Sequence, residues 1–88
     1  MAVRPGDRLV LHPDVALRPE RFGALAYHFG NRRLSFLKHP DLVAVVESLD
    51  GERTVAEAFD VVGVEEARRS SFLSALETLR SSEMVRAA

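Results

Sequence analysis

The sequence predicts an α+β fold, a three-stranded antiparallel sheet followed by three helices. Three observations carry this. Residues 24–37 alternate around a Gly30-Asn31 turn in the manner of a β-hairpin. Thr54-Val55-Ala56-Glu57 is a capping box, the signature of a helix start. Apolar residues recur at helical spacing only after His39, so strands come first and helices second.

The first strand is read at Val15-Ala16-Leu17-Arg18 and ends at Pro19, because proline cannot donate to a ladder. The connection Pro19-Glu20-Arg21-Phe22-Gly23 is short enough for an antiparallel meander. Gly30 and Asn31 both tolerate the positive φ of a two-residue hairpin turn. That turn fixes a register in which Phe29 faces Arg32, His28 Arg33, Tyr27 Leu34, Ala26 Ser35, Leu25 Phe36 and Ala24 Leu37. One face then gathers Leu25, Tyr27, Leu34 and Phe36 and is expected to be the buried one. The other carries mainly small or polar groups. If the first strand pairs with residues 24–29, the strand over 32–37 keeps one open edge.

His39-Pro40-Asp41 reads as a helix start, with proline in the first turn and Asp41 complementing the dipole. Leu42, Val45, Val46 and Leu49 repeat at helical spacing, and Gly51 is a plausible C-cap. The capping box opens a short helix through Ala58 and Phe59 to about Val62, stopped by Gly63. A third helix starts near Glu65 and Glu66 and carries Phe72, Leu73, Leu76 and Leu79 on one stripe. Met84 and Val85 are expected to fold back as an apolar tail. All three stripes are expected to pack on the apolar face of the sheet.

At 88 residues, with 47% hydrophobic and 28% charged, the chain is one folded domain. Residues 1–10 are read as an N-terminal tail and residues 11–88 as the domain. The absence of cysteine excludes a disulfide framework, a thiolate nucleophile and an iron–sulfur cluster held by this chain. No apolar run approaches the roughly 20 residues of a membrane helix. Residues 1–8 lack the apolar core of a secretory signal, so a cytoplasmic protein is expected, with no membrane partner. The net charge of −1 conceals an asymmetry: residues 1–38 carry +4 and residues 39–88 carry −5. A basic half can steer an acidic partner.

Catalytic patterns are missing. His12, His28 and His39 are too far apart in sequence for ordinary metal-ligand spacing, and each is read in a surface or capping role, with no metal site. No Gly-rich phosphate loop or Gly-x-Ser-x-Gly elbow occurs, and Ser70, Ser71, Ser81 and Ser82 lack an evident activator. The chain is therefore read as a non-enzyme without a cofactor of its own. Two binding readings stand side by side. Thr54 to Leu79 resembles a winged helix-turn-helix, which suggests a DNA-binding regulator. Against it, Glu65 and Glu66 lead the would-be recognition helix ahead of Arg68 and Arg69, and no wing is expected after that helix. The second reading is peptide capture at the open strand edge, where an extended guest adds as a strand. Arg32, Arg33 and Lys38 bracket that strand, either guarding it against aggregation or selecting an acidic guest. Leu37, Phe72, Leu73 and Leu76 would line the groove beside it.

Arg18-Pro19-Glu20, Phe22-Gly23-Ala24-Leu25, Tyr27-His28 and Leu34-Ser35-Phe36-Leu37-Lys38 resemble the strand region of the mycofactocin biosynthesis chaperones. That family belongs to the precursor-peptide recognition elements, related to the chaperone of pyrroloquinoline quinone biosynthesis. The resemblance covers roughly Leu11 to Val85. It implies a winged-helix-like arrangement of the three strands and three helices. It also implies a non-catalytic chaperone that binds the mycofactocin precursor peptide and presents it to a radical S-adenosylmethionine maturase, with no nucleic acid involved. The guest would add at the third strand beside the third helix. In this sequence that means Arg33, Leu34, Ser35, Phe36 and Leu37 for backbone pairing, with Arg68, Arg69, Phe72 and Leu76 in the groove. Arg18, Pro19, Glu20 and Phe22 admit two roles: shaping the first turn, with Phe22 as a core plug, or touching the enzyme.

Overall fold

In the computed structural model, which describes residues 2–88, the chain runs through six strands and three helices. In order these are β1 (Arg8–Leu11), β2 (Val15–Glu20), β3 (Gly23–His28), β4 (Leu34–Leu37), α1 (Pro40–Ser48), β5 (Asp50–Thr54), α2 (Val55–Val62), α3 (Glu66–Ser81) and β6 (Val85–Ala87). The strands form two antiparallel three-stranded sheets, β2-β3-β4 and β5-β1-β6, where the sequence predicted one.

The expected meander is the β2-β3-β4 sheet, and its hairpin register runs as predicted from Tyr27↔Leu34 to Ala24↔Leu37. The turn differs. Arg32, not Gly30 or Asn31, is left-handed at φ 61°, and its N–H donates to the His28 carbonyl at 2.8 Å. Which face is buried also differs. Ala24, Ala26 and Leu37 are inside, while Leu34 and Phe36 are exposed and Leu25 and Tyr27 half-buried. The bulk of the inner layer comes from the helices, so the sheet meets them with small side chains. Alanines on β3 let α1 approach its backbone closely, and Leu37 is the one large residue that β4 turns inward.

The second sheet gathers segments far apart in sequence. Residues 8–10, read as part of a tail, enter its central strand, with Leu9 fully buried. Upstream, Val3 is buried, and the carbonyls of Pro5 and Asp7 accept the N–H groups of Ala56 and Val55. Gly51, predicted as the cap of α1, instead sits within β5 at φ 82°, and Leu49 ends that helix. Met84 and Val85 do fold back, and β6 pairs with β1, so a strand does follow α3. The α2 boundaries are those predicted: the Thr54–Glu57 box opens it and Gly63, left-handed at φ 84°, closes it.

The core between the layers contains Leu9, Leu37, Val45, Phe59, Leu76 and Met84, all essentially inaccessible. Complete burial of each such leucine or phenylalanine contributes about 1.5–3 kcal/mol. Among the described residues no helix is long and apolar enough to cross a membrane.

Candidate functional site

Two hydrogen bonds set the direction of every backbone group in the β2-β3-β4 sheet. His28 N–H donates to the Arg33 carbonyl at 3.0 Å, and Phe29 N–H to the Asp14 carbonyl at 2.9 Å. Antiparallel ladders alternate, so Ala24, Ala26 and His28 address β4, whereas Leu25 and Tyr27 address β2. Ser35 and Leu37 therefore pair inward with β3, and the N–H and C=O groups of Leu34 and Phe36 point away from the sheet. Among the described residues no strand covers them. The opposite margin is blunted. There the outward residues are Val15, Leu17 and Pro19; the Val15 N–H is taken by the His12 carbonyl at 2.9 Å, and Pro19 has none. Of this sheet's two margins, the β4 margin is the one open to an added strand among the described residues.

Helix α3 runs along that margin. At one end the Asn31 side-chain amide donates to the Ser82 carbonyl at 3.2 Å, and the Ser35 and Ser82 hydroxyls lie 3.5 Å apart. At the other, the Arg68 guanidinium is 3.1 Å from His39 Nε2 and 2.9 Å from an Asp41 carboxylate oxygen. Steps of three and four place Phe72, Ala75 and Leu79 on the same helix face between these ends. Sequence reasoning gave Asn31 a turn role and His39 a capping role but assigned neither of them, nor Ser82, to this site; only the 68-72-75-79-82 spacing could have pointed to Ser82.

The predicted residues separate into four groups. Arg33, Leu34 and Phe36 are exposed at the margin, with Ser35 half-buried between them. Leu37, Phe72 and Leu76 are buried core residues, a floor rather than a lining. Arg68 is half-buried at the β4 end, stacked 5.0 Å above the Phe72 ring. Arg69 belongs elsewhere: it donates to Asp60 at 2.8 Å and to the Val64 carbonyl at 3.1 Å, and lies over Phe59. With both arginines held in ion pairs and Glu65 and Glu66 exposed ahead of them, α3 offers a poor recognition surface for DNA.

Folding brings His12, Asp14 and His28 together, although their spacing in sequence gave no sign of it. The two rings lie 4.2 Å apart, and their ligand-type atoms and those of Asp14 fall within 4.8 Å of one another. Hydrogen bonding gives the cluster a different purpose. His12 Nδ1 accepts the Asp14 N–H at 3.0 Å, and the buried His28 Nδ1 accepts those of Gly30 and Asn31 at 3.0 and 3.1 Å. In the neutral rings the protons then sit on Nε2, leaving no nitrogen lone pair free for a shared ion. His39 likewise accepts the Asp41 N–H at the start of α1. All three histidines act as local caps.

On the outer face of the same sheet, Phe22 contacts Phe36 at 5.9 Å between ring centroids and Phe29 packs edge-on to Tyr27 at 4.8 Å. Phe22 is thus no core plug. Phe22, Phe36 and Lys38 line an open cavity of about 470 Å³.

Comparison with known proteins gives one consistent result. Residues 8–86 match the model described as the peptide chaperone MftB family. The Mycobacterium ulcerans protein named peptide chaperone MftB is 48% identical over 75 residues, covering 85% of this chain and 69% of its own. Its namesakes from Mycobacterium tuberculosis and Mycolicibacterium smegmatis are each 47% identical over 75 residues, covering 85% of this chain and 69% and 74% of theirs. No solved structure matches.

Proposed function

The chain belongs to the peptide chaperone MftB family, and from that premise we propose that it captures the mycofactocin precursor peptide as an added strand on β4. It presents the peptide, in the cytoplasm, to a radical S-adenosylmethionine maturase and catalyses nothing itself. The observation that carries this reading is the outward direction of the Leu34 and Phe36 backbone groups at an uncovered margin. A guest residue paired with each makes two hydrogen bonds there, and intervening guest side chains turn toward α3. Exposed Arg33, without a carboxylate partner among the described residues, stands at the start of the strand, which suits an acidic leader segment.

The test is a pair of titrations at physiological salt, one with the precursor peptide and one with duplex DNA. Saturable binding of the peptide and none of the DNA is expected. Saturable DNA binding with no response to peptide would replace this reading with that of a DNA-binding regulator.

A further inference from the structure

The outer face of the β2-β3-β4 sheet is apolar and uncovered. Phe22, Phe29, Leu34 and Phe36 remain 47%, 62%, 59% and 60% exposed, with Leu25 and Tyr27 half-buried among them. Exposed apolar residues scattered singly need no explanation, but a contiguous group with a polar rim marks an interaction surface. The ring contacts between Phe22 and Phe36 and between Tyr27 and Phe29 make this group contiguous. Its rim is predominantly basic, with the Arg18–Glu20 ion pair on the β2 border. Residues 15–38 hold five basic side chains and one acidic, and Arg21, Arg32, Arg33 and Lys38 have no carboxylate partner among the described residues. Elsewhere Arg53, Arg68, Arg69 and Arg80 are ion-paired, whereas Arg4, Arg8 and Arg86 have no carboxylate partner among the described residues.

A strand added at β4 leaves most of this face bare. It lies one strand spacing, about 4.8 Å, beyond β4 and reaches only the flanks of Leu34 and Phe36. Leu25 and Tyr27 are on β3, and Phe22 and Phe29 adjoin its two ends. We propose that the face docks a folded partner protein whose matching surface is apolar at its centre and acidic at its margin. This inference rests on the peptide-delivery reading, in which the partner is the maturase and docking sets it beside the captured strand. A second copy of this chain is a poor occupant, because two-fold packing of the patch on itself sets basic rim against basic rim. The apolar centre is bordered by Ala16, Arg18 and Glu20 on β2, the core-and-rim arrangement of protein interfaces.

The experiment uses a Phe22→Ser/Phe29→Ser double variant, both sites being exposed and off the β4 margin, with circular dichroism to verify folding. Affinity for the maturase and for the precursor peptide are measured separately. The variant is expected to keep peptide affinity within about twofold and to lose at least tenfold in maturase affinity. Wild-type maturase binding should also weaken as salt rises. Undiminished maturase binding overturns the proposal. So does an equal loss of peptide affinity, a wild-type dimer that the variant abolishes, or binding to phosphatidylglycerol vesicles that only the wild type shows. Should the double variant not fold, Arg21→Glu reads the same surface by charge alone, and unchanged maturase affinity is equally fatal. Absence of peptide binding by the wild type would instead remove the delivery reading, which the two titrations keep distinct.

Discussion

In the proposed capture Leu34 and Phe36 would meet a guest twice, through backbone groups that point off the margin and through side chains on the outer face. The two contributions are separable. Phe36→Ala removes the ring and keeps the N–H, whereas Phe36→Pro removes both and is tolerated on a free edge. Calorimetric titration with the precursor peptide should show the proline variant binding roughly three- to tenfold more weakly than the alanine one, the worth of one hydrogen bond. Equal affinities would mean that the guest sits elsewhere. Ser35→Pro is no substitute, because the Ser35 N–H serves the β3 ladder. Gly23 is fixed by a different contact: a Cβ there would collide with the Leu37 carbonyl oxygen, the residue that anchors β4 to the core. Gly23→Ala should lower unfolding stability by about 1–3 kcal/mol in urea melts. Gly6→Ala, with nothing nearby, should leave it unchanged.

Among the elements, α2 shows how local chemistry both specifies structure and sets its acid limit. The Thr54 N–H donates to a Glu57 carboxylate oxygen at 2.8 Å and its hydroxyl accepts the Glu57 N–H at 3.2 Å. The backbone N–H of Thr54, then its hydroxyl, hold the Glu57 carboxyl below the usual range, and the N–H groups of Arg53 and then Glu52 do the same for Asp50. A carboxyl lowered in the folded state stabilises fully above its unfolded value and loses that contribution as pH falls through the folded one. Thermal melts should therefore weaken below about pH 4. Glu57→Gln should flatten that acid limb while lowering the midpoint at neutral pH, and Thr54→Ala should cost about 1 kcal/mol at neutral pH and less in acid. The box was legible because it is contained in four residues, as was the β3–β4 register, which follows from a short connection. The buried face of the hairpin was misread because side-chain size on two strands says nothing of what the helices bring to the other side. The β5-β1-β6 sheet was missed because its pairing spans almost the whole chain, from Leu9 to Ala87. For the site, Leu34 and Phe36 could be reached from the register alone, but Arg69 and Leu76 could not be assigned: periodicity marks a helix stripe without saying which neighbour it meets.

Over the whole molecule, the charge split of +4 and −5 between residues 1–38 and 39–88 becomes spatial. The acidic half folds mainly into helices whose arginines are paired, while four of the unpaired cations, Arg21, Arg32, Arg33 and Lys38, lie in the segment that forms the β2-β3-β4 sheet. A domain of net charge −1 thus presents a basic face without being basic overall, which under the proposed function would steer an acidic segment toward the β4 margin. Steering through water is screened over about 30 Å at 0.01 M salt but only about 10 Å at 0.1 M. Arg33 is exposed at the mouth of the β4 margin and has no carboxylate partner among the described residues, so reversing it probes this field rather than a bond within the fold. Arg33→Glu should leave the melting temperature nearly unchanged, since surface charges contribute about 0–1 kcal/mol. It should slow association of an acidic precursor peptide about three- to tenfold at 0.02 M salt, with the gap from wild type closing by 0.5 M and dissociation little affected. Stopped-flow measurements across that range decide the matter. A loss that persists at high salt and lies in the dissociation rate would mean that Arg33 holds the guest by direct contact, and that the basic face is not what brings it in.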